Sequence, residues 1–218
     1  MKKILVIAAL LLAGFSASAQ VHIGAGYMWD FWAQKQGSNK AGTINMNGVY
    51  AGASYNIQVV EGLGIAPGAY FSWATGIDLD KDGKKVEGDL LGISGKYGHT
   101  HMALTIPVHV TYSMDLGAGK AFAYLGPAFQ YGLSLKSFVK ASTSSSEGKK
   151  VSENLFAKDE DGNRVYSPFD VKLGVGFGYT WKFIQANVGF DFGFLDRDPL
   201  DNFKANANAV HAGIAFVF

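Results

Sequence analysis

Two runs of strict alternation, within residues 99–135, constrain this chain more than any other feature of its sequence. They flank a short polar segment, DLGAG at 115–119. Side chains of a strand point alternately to opposite faces, so a period of two predicts strands with unlike faces. One face is apolar in both runs, and the other mixes small, polar and histidine side chains. A soluble sandwich would bury the apolar face, whereas a membrane barrel would turn it toward lipid.

The N-terminus has the three parts of a secretory signal peptide. Lys2 and Lys3 precede an apolar run at 4–12, and an A-x-A cleavage pattern follows at 17–19. The apolar run is too short to span a bilayer, which needs about 20 residues. We therefore predict that residues 1–19 are cleaved and that residues 20–218 form a single barrel domain beginning at Gln20.

The charge balance gives no support for nucleic-acid binding. The chain has 19 basic and 18 acidic residues, and removing Lys2 and Lys3 leaves 17 against 18, a net charge of −1. Glycine is abundant, with 28 residues, and aromatic residues make up 14% of the chain. No window after the signal is long and apolar enough for a membrane helix. An exported chain of this composition is typical of an outer-membrane barrel.

Eight alternating segments can be marked, and their connections alternate between short and long. The short ones are 60–62, 115–119 and 182–183, whereas 33–43, 79–97, 138–167 and 196–204 are long and polar. We predict an all-β fold, an eight-stranded antiparallel up-and-down transmembrane β-barrel, because an even number of strands lets such a barrel close. Pro67, Pro107 and Pro127 would interrupt the hydrogen-bond ladder, which bulges could absorb. The segments are 21–32, 44–58, 63–78, 98–114, 120–137, 168–181, 184–195 and 205–218.

One hairpin resembles a known family. LTIPVHVTY at 104–112, followed by YLGPAFQYGLSL at 124–135, resembles the hairpin of the Bacteroidetes outer-membrane β-barrel domain, whose members include porin-family and PorT-like proteins. FDVKLGVGFGYTW at 169–181 and HAGIAFVF at 211–218 are similar to its last strands. The resemblance covers residues 20–218 and implies an outer-membrane barrel. The terminal Phe218 also resembles the C-terminal signal that the barrel-assembly machinery recognises when it inserts such barrels. It implies no catalytic motif.

The faces opposite the apolar ones carry charges that a barrel would place in its lumen. Counted from the short turns, Asp30, Lys172, Asp191 and His211 fall at similar heights on neighbouring strands. Charges in a confined lumen are costly unless they are paired. We therefore predict a lumen polar network in which Asp191 pairs with Lys172 or His211, with Asp30 nearby. Separate solvation of each group by lumen water is the alternative.

Residues 78–89, DLDKDGKKVEGD, match the spacing of a calcium loop. Asp78, Asp80, Asp82 and Asp89 would supply hard oxygen ligands. Flanking helices are missing, and Lys85 occupies a position that is usually apolar. A solvated hairpin tip that turns at Asp82-Gly83 is the alternative. We expect no other cofactor.

The expected function follows from the size of the barrel. Eight strands leave an interior just filled by side chains, which argues against an open diffusion pore. The longest loop, 139–167, would form a surface hairpin. We expect an integral outer-membrane protein, surrounded by outer-membrane lipid, with a structural or surface-binding role toward an unidentified ligand and without enzymatic activity.

Two alternative functions stay open. One is a lipid-modifying enzyme that uses His99 or His101 near the outer rim, with Ser72 or Ser134 as the nucleophile. The other is an accessory component of a protein-export machine, which the PorT-like resemblance allows.

Overall fold

The computed structural model describes residues 19–80, 82, 84–90, 93–141, 154–158, 162–199 and 202–218. The predicted signal peptide lies outside these residues except for Ala19, the first residue of β1. Eight long strands and two short ones, β4 and β5, make up the described secondary structure. The strands are β1 (Ala19–Gln36), β2 (Asn39–Val60), β3 (Leu63–Ile77), β4 (Leu79–Asp80), β5 (Glu87–Leu90), β6 (Ile93–Asp115), β7 (Lys120–Ala141), β8 (Phe169–Trp181), β9 (Ile184–Gly193) and β10 (Phe203–Val217).

The eight long strands close into a ring. Each pairs antiparallel with its neighbours in chain order, and β1 pairs with both β2 and β10. Closure leaves no free sheet edge among the long strands. The short strands β4 and β5 add to β2 and β6 beyond one end of the ring. The predicted eight-stranded antiparallel barrel is confirmed.

The apolar faces of the strands point outward. Phe177, Ile214 and Val49 are 65%, 58% and 56% exposed, and similar side chains surround the ring. Exposing so wide an apolar belt to water would be unfavourable, whereas the hydrocarbon chains of lipid solvate it. The soluble-sandwich alternative is therefore wrong. Among the described residues, no helix is long and apolar enough to cross a membrane.

The strands extend well beyond the apolar belt at one end. Residues 33–43, predicted to be a long loop, continue β1 to Gln36 and begin β2 at Asn39, with a tight turn at Gly37, whose φ is +57°. In the same way β6 begins at Ile93, within the predicted loop 79–97. The three short connections are turns at the opposite end, as predicted. We call the end with the long strands the outer end and the end with the short turns the periplasmic end.

The prolines interrupt the ladder without shifting its register. Between β3 and β6, pairing stops after Pro67 and resumes at Tyr70 in the same register. Between β6 and β7, it stops at Pro107 and resumes at Val110, again in register. Bulges, which could have absorbed the prolines, are absent from these positions. The ladder instead leaves two residues of each strand unpaired there.

Candidate functional site

The outer mouth of the barrel is closed by an apolar plug. Its centre is Trp32, which is fully buried and lies edge-on to His101 and Tyr166, at ring-centroid distances of 5.3 and 5.6 Å. Phe156 stacks on Trp32 at 6.3 Å. The plug consists of Trp32, Ile44, Met46, Ala74, Leu135, Phe156, Tyr166, Ala205 and Ala207.

Phe156 and Tyr166 come from the loop between β7 and β8, which was expected to stand above the membrane as a surface hairpin. That expectation is wrong for both residues, because they fold back into the barrel mouth. The hydroxyl of Tyr166 accepts a hydrogen bond from Gln34 Nε2 at 2.9 Å. Burial raises the pKa of Tyr166 to about 12, so the phenol stays neutral.

Arg197 holds the plug from the loop between β9 and β10. Its guanidinium lies 4.2 Å from the ring centroid of Trp32 and 5.0 Å from that of Phe156. Its Nε donates to the carbonyl of Ser167 at 2.9 Å, and its Nη2 donates to that of Pro168 at 3.0 Å. Burial lowers the pKa of Arg197 to about 10, which leaves it charged at neutral pH. Arg197 thereby joins the loop between β7 and β8 and the loop between β9 and β10 to Trp32 of the barrel wall.

Below the plug, the lumen contains a chamber of about 1300 Å³. It extends from the short turns, at Gly62 and Gly117, up to Gln130 and Lys172. The expectation that side chains fill the interior is therefore wrong for the periplasmic half. The outer plug, rather than a filled lumen, closes the barrel.

Glycines in the lumen wall receive aromatic rings that lie over them from strands one or two positions away in the ring. A Cβ on Gly176 or Gly189 would lie 2.3 or 2.0 Å from the hydroxyl oxygen of Tyr124. A Cβ on Gly213 would lie 2.1 Å from that of Tyr50. These contacts explain the run of glycines on the inner face of β8, because any larger side chain would occupy the space of a ring.

The predicted lumen residues lie on the inner face and form two separate groups. Asp191 Oδ1 is 3.8 Å from His211 Nε2, and both side chains point into the lumen from the adjacent strands β9 and β10. Asp30 instead contacts His101, with 2.7 Å between Oδ2 and Nδ1. The Lys172 ammonium lies in the electrostatic range of Asp30 and Asp191 but has no hydrogen-bond partner within the described part of the chain.

The pair of Asp30 and His101 was not foreseen, since β1 and β6 are not neighbours in the ring. Reasoning from adjacent strands cannot detect a contact across the lumen. Arg197, which is fully buried near this pair, was missed as well. The scarcity of arginine, with only two in the chain, was the one available signal for Arg197.

The residues of the predicted calcium loop have other partners. Asp78 Oδ1 lies 2.7 Å from His99 Nδ1. Asp80 Oδ1 accepts the backbone N–H groups of Asp82 and Lys84, both at 2.9 Å. The side chain of Asp89 lies outside the described residues, and among those described no group of three or more His, Cys, Asp or Glu side chains could hold a metal ion. Calcium binding by Asp78, Asp80, Asp82 and Asp89 stays a prediction.

The histidines considered for an enzyme have different surroundings. His101 is buried in the plug, and Ser72 donates to the carbonyl of Ala103. His99 has a serine partner, but it is neither Ser72 nor Ser134. His99 Nε2 lies 3.1 Å from the hydroxyl of Ser137. A single one-residue bulge at Leu133 hid this pair, because residues of β7 beyond the bulge face the side opposite to that predicted by alternation.

The outer surface carries a row of three lysines. Lys35 of β1 is directly opposite Lys40 of β2 and Lys204 of β10. Beside the row, a groove of about 520 Å³ is also lined by Lys158 and Arg164, with Asp198 as the acidic side chain.

A family model of the outer membrane protein beta-barrel domain matches residues 14–197. Comparison with curated proteins gives no match. Similar solved structures include Ail, the attachment invasion locus protein of Yersinia pestis, at 12% identity and a TM-score of 0.42, covering 92% of this chain and 99% of that one. OprG from Pseudomonas aeruginosa is 12% identical with a TM-score of 0.44, covering 93% and 96%. Likenesses at this level carry no information on function.

Proposed function

The chain belongs to the outer membrane protein beta-barrel domain family, and on that premise we propose that it is a surface-binding protein rather than an open diffusion pore. Its ligand is a multiply charged anion, such as a phosphate-bearing sugar, at the extracellular face. Outer-membrane lipid surrounds its apolar belt, and the barrel-assembly machinery inserts it. A closer relation to PorT-like Bacteroidetes barrels is part of the proposal and rests on the hairpin of residues 104–135.

The row of lysines carries this proposal. Lys35 lies on the same face of β1 as Trp29 and six residues beyond it, roughly 15 Å farther along the membrane normal at a 40° tilt. The row therefore stands above the aromatic residues at the edge of the apolar belt. Like charges directly opposite each other on neighbouring strands destabilise a sheet. An anionic ligand that bridges them would relieve this repulsion.

The groove beside the row extends the cationic surface. Lys158 and Arg164 line it from the loop between β7 and β8, and Lys35 and Lys204 line it from strands β1 and β10. Arginine and lysine together provide both forked and point-charge donors for phosphate oxygens. A ligand with several anionic groups would contact both walls at once.

Binding of inositol hexakisphosphate to the folded protein in detergent tests the proposal. The double variant Lys35→Gln/Lys204→Gln should bind about fivefold more weakly, since two partly screened ion pairs contribute about 1 kcal/mol together. Titration calorimetry at two salt concentrations measures the change, and affinity should fall as salt rises.

Lys120→Gln is the matched control, because Lys120 is exposed at the periplasmic end, 3.8 Å from Asp115. This variant should bind as tightly as the parent protein. An equal loss in both variants would show that only net charge matters. Unchanged binding in the double variant would contradict a binding site at Lys35 and Lys204.

A further inference from the structure

Three polar side chains at the outer end form one hydrogen-bonded line. Asp78 Oδ1 lies 2.7 Å from His99 Nδ1, and His99 Nε2 lies 3.1 Å from the hydroxyl oxygen of Ser137. The histidine therefore bridges an acid on one ring nitrogen and a hydroxyl on the other. This is the order of contacts that activates the nucleophile in serine hydrolases.

Strand register brings the three residues together. His99 of β6 pairs with Ser137 of β7 on one side and with Gly76 of β3 on the other. Asp78 follows β3 directly, and its backbone N–H donates to the carbonyl of Tyr97 at 3.0 Å. His99 and Ser137 lie on adjacent strands and Asp78 directly follows the next strand, so the rigid barrel wall sets their spacing.

We propose that Ser137, His99 and Asp78 form the catalytic centre of a serine esterase that acts at the extracellular face. With Nδ1–H donating to Asp78, Nε2 of the neutral imidazole accepts the proton of Ser137. The Ser137 oxygen attacks the carbonyl carbon of a carboxylic ester, and its proton passes to His99. Asp78 stabilises the imidazolium that results.

The remaining steps restore the centre. His99 returns the proton to the departing alkoxide, which leaves as an alcohol, and the acyl group stays on Ser137. Water then gives a proton to His99 and attacks the acyl-serine. His99 passes that proton to the departing Ser137 oxygen, which leaves the carboxylic acid and restores the serine hydroxyl. Overall, one ester and one water yield one acid and one alcohol.

Comparison with the other inner histidines distinguishes this group from ordinary lumen hydrogen bonding. His101 also contacts a carboxylate through Nδ1, but it is only 1% exposed and its Nε2 has no partner among the described residues. His99 is itself only 8% exposed but has both nitrogens engaged, while the Asp78 side chain is 19% exposed and Ser137 is partly exposed. The nucleophile of the line, Ser137, is thus reachable from outside, which catalysis requires and a buried structural network does not.

The position of the centre defines the side from which a substrate arrives. His99 lies two residues beyond His101, and therefore on the extracellular side of the plug. Its side chain is on the inner face of β6, where His101 also lies. A carboxylic ester must enter from the extracellular side, either as a soluble molecule or as the ester group of an outer-leaflet lipid.

Labelling with a fluorophosphonate and hydrolysis of p-nitrophenyl butyrate test the proposal on the full-length protein folded in detergent. The parent protein should be labelled on Ser137, as located by mass spectrometry of the peptides, and should hydrolyse the ester. Ser137→Ala should lose the label, and hydrolysis should fall to the buffer rate. Asp78→Asn should lower kcat by roughly 10⁴-fold with little change in KM, the loss that the same change causes in serine proteases.

Ser113→Ala is the matched control, since it removes a hydroxyl at the periplasmic end of β6, where Ser113 donates to the carbonyl of Gly62 at 3.4 Å. It should retain labelling and turnover. Different gel migration of boiled and unboiled samples shows whether each variant is folded. Vesicles of phosphatidylethanolamine form the second arm: release of fatty acid there identifies a lipid ester, and turnover of the soluble ester alone identifies a soluble substrate.

A folded parent protein that neither takes the label nor hydrolyses either ester would overturn the proposal. So would equal labelling of the parent and Ser137→Ala. Binding of inositol hexakisphosphate is measured separately, so failure of this proposal leaves the surface-binding role unaffected.

Discussion

At the scale of single residues, burial decides how much a charge pair contributes. Asp191 with His211 and Asp115 with Lys120 have the same separation, 3.8 Å, in very different surroundings. The first pair is less than one-fifth exposed, while the side chains of the second are 79% and 63% exposed. Water and salt screen the second pair on all sides but reach the first only through the lumen chamber that it lines.

Asp191→Asn should therefore destabilise the barrel more than Asp115→Asn. The first change removes a carboxylate that lies beside the His211 imidazole and near Lys172, whose ammonium has no hydrogen-bond partner among the described residues. We expect this to cost about 1–3 kcal/mol. The second should cost less than about 1 kcal/mol. Urea midpoints in detergent, followed by tryptophan fluorescence, measure both. Equal midpoints for the two variants would contradict a stabilising lumen network.

At the scale of elements, the outer plug joins two loops to the inner faces of the strands. Phe156 lies over Gly132 of β7, where an added Cβ would be 2.2 Å from a ring carbon of Phe156 and 3.1 Å from Arg197 Nη2. The glycine creates the space into which the loop folds. A strand position therefore controls the closure of the mouth.

Gly132→Val should displace Phe156 and expose Trp32, at a cost of about 1–3 kcal/mol for overpacking. Acrylamide quenching reports this in a background where Trp29, Trp73 and Trp181 are replaced by phenylalanine, leaving Trp32 as the emitter. Leu133→Val, on the adjacent lipid-facing position, should leave quenching unchanged. The same quenching in both variants would show that Phe156 does not shield Trp32.

At the scale of the whole molecule, the barrel is a chamber closed at its outer end. A lumen of about 1300 Å³ reaches the periplasmic turns, but the plug separates it from the extracellular side. The layer at Trp32 is fully buried, so the described residues leave no water-filled path through it. Closure therefore depends on a few side chains rather than on the number of strands.

The parent protein should accordingly show no large, stable openings in planar bilayers. The double variant Phe156→Ala/Arg197→Ala removes two residues that cover Trp32 and should produce measurable openings. Phe177→Ala, on the lipid face, is the control and should behave as the parent. Steady openings of equal size in all three proteins would contradict closure by the plug.

The sequence alone was sufficient to predict the number of strands, their antiparallel order and the outward direction of their apolar faces. These properties depend on local alternation and on the lengths of connections, both of which can be counted along the chain. The inward direction of Asp30, Lys172, Asp191 and His211 followed from the same parity. The ends of the strands could not be predicted in this way, since pairing extends β1 and β2 through polar residues that do not alternate with apolar ones.

Only the tertiary structure decided what meets inside the ring. Asp30 reaches His101 across the lumen, and Arg197 reaches Trp32 from a distant loop. Ser137 faces His99 because a bulge at Leu133 changes the facing of β7, which no periodic pattern reveals. Closing the sheet brings together residues far apart in the chain, and their contacts depend on register, bulges and loop folding. Alternation determines the face on which a side chain lies, but the closed barrel determines its partner.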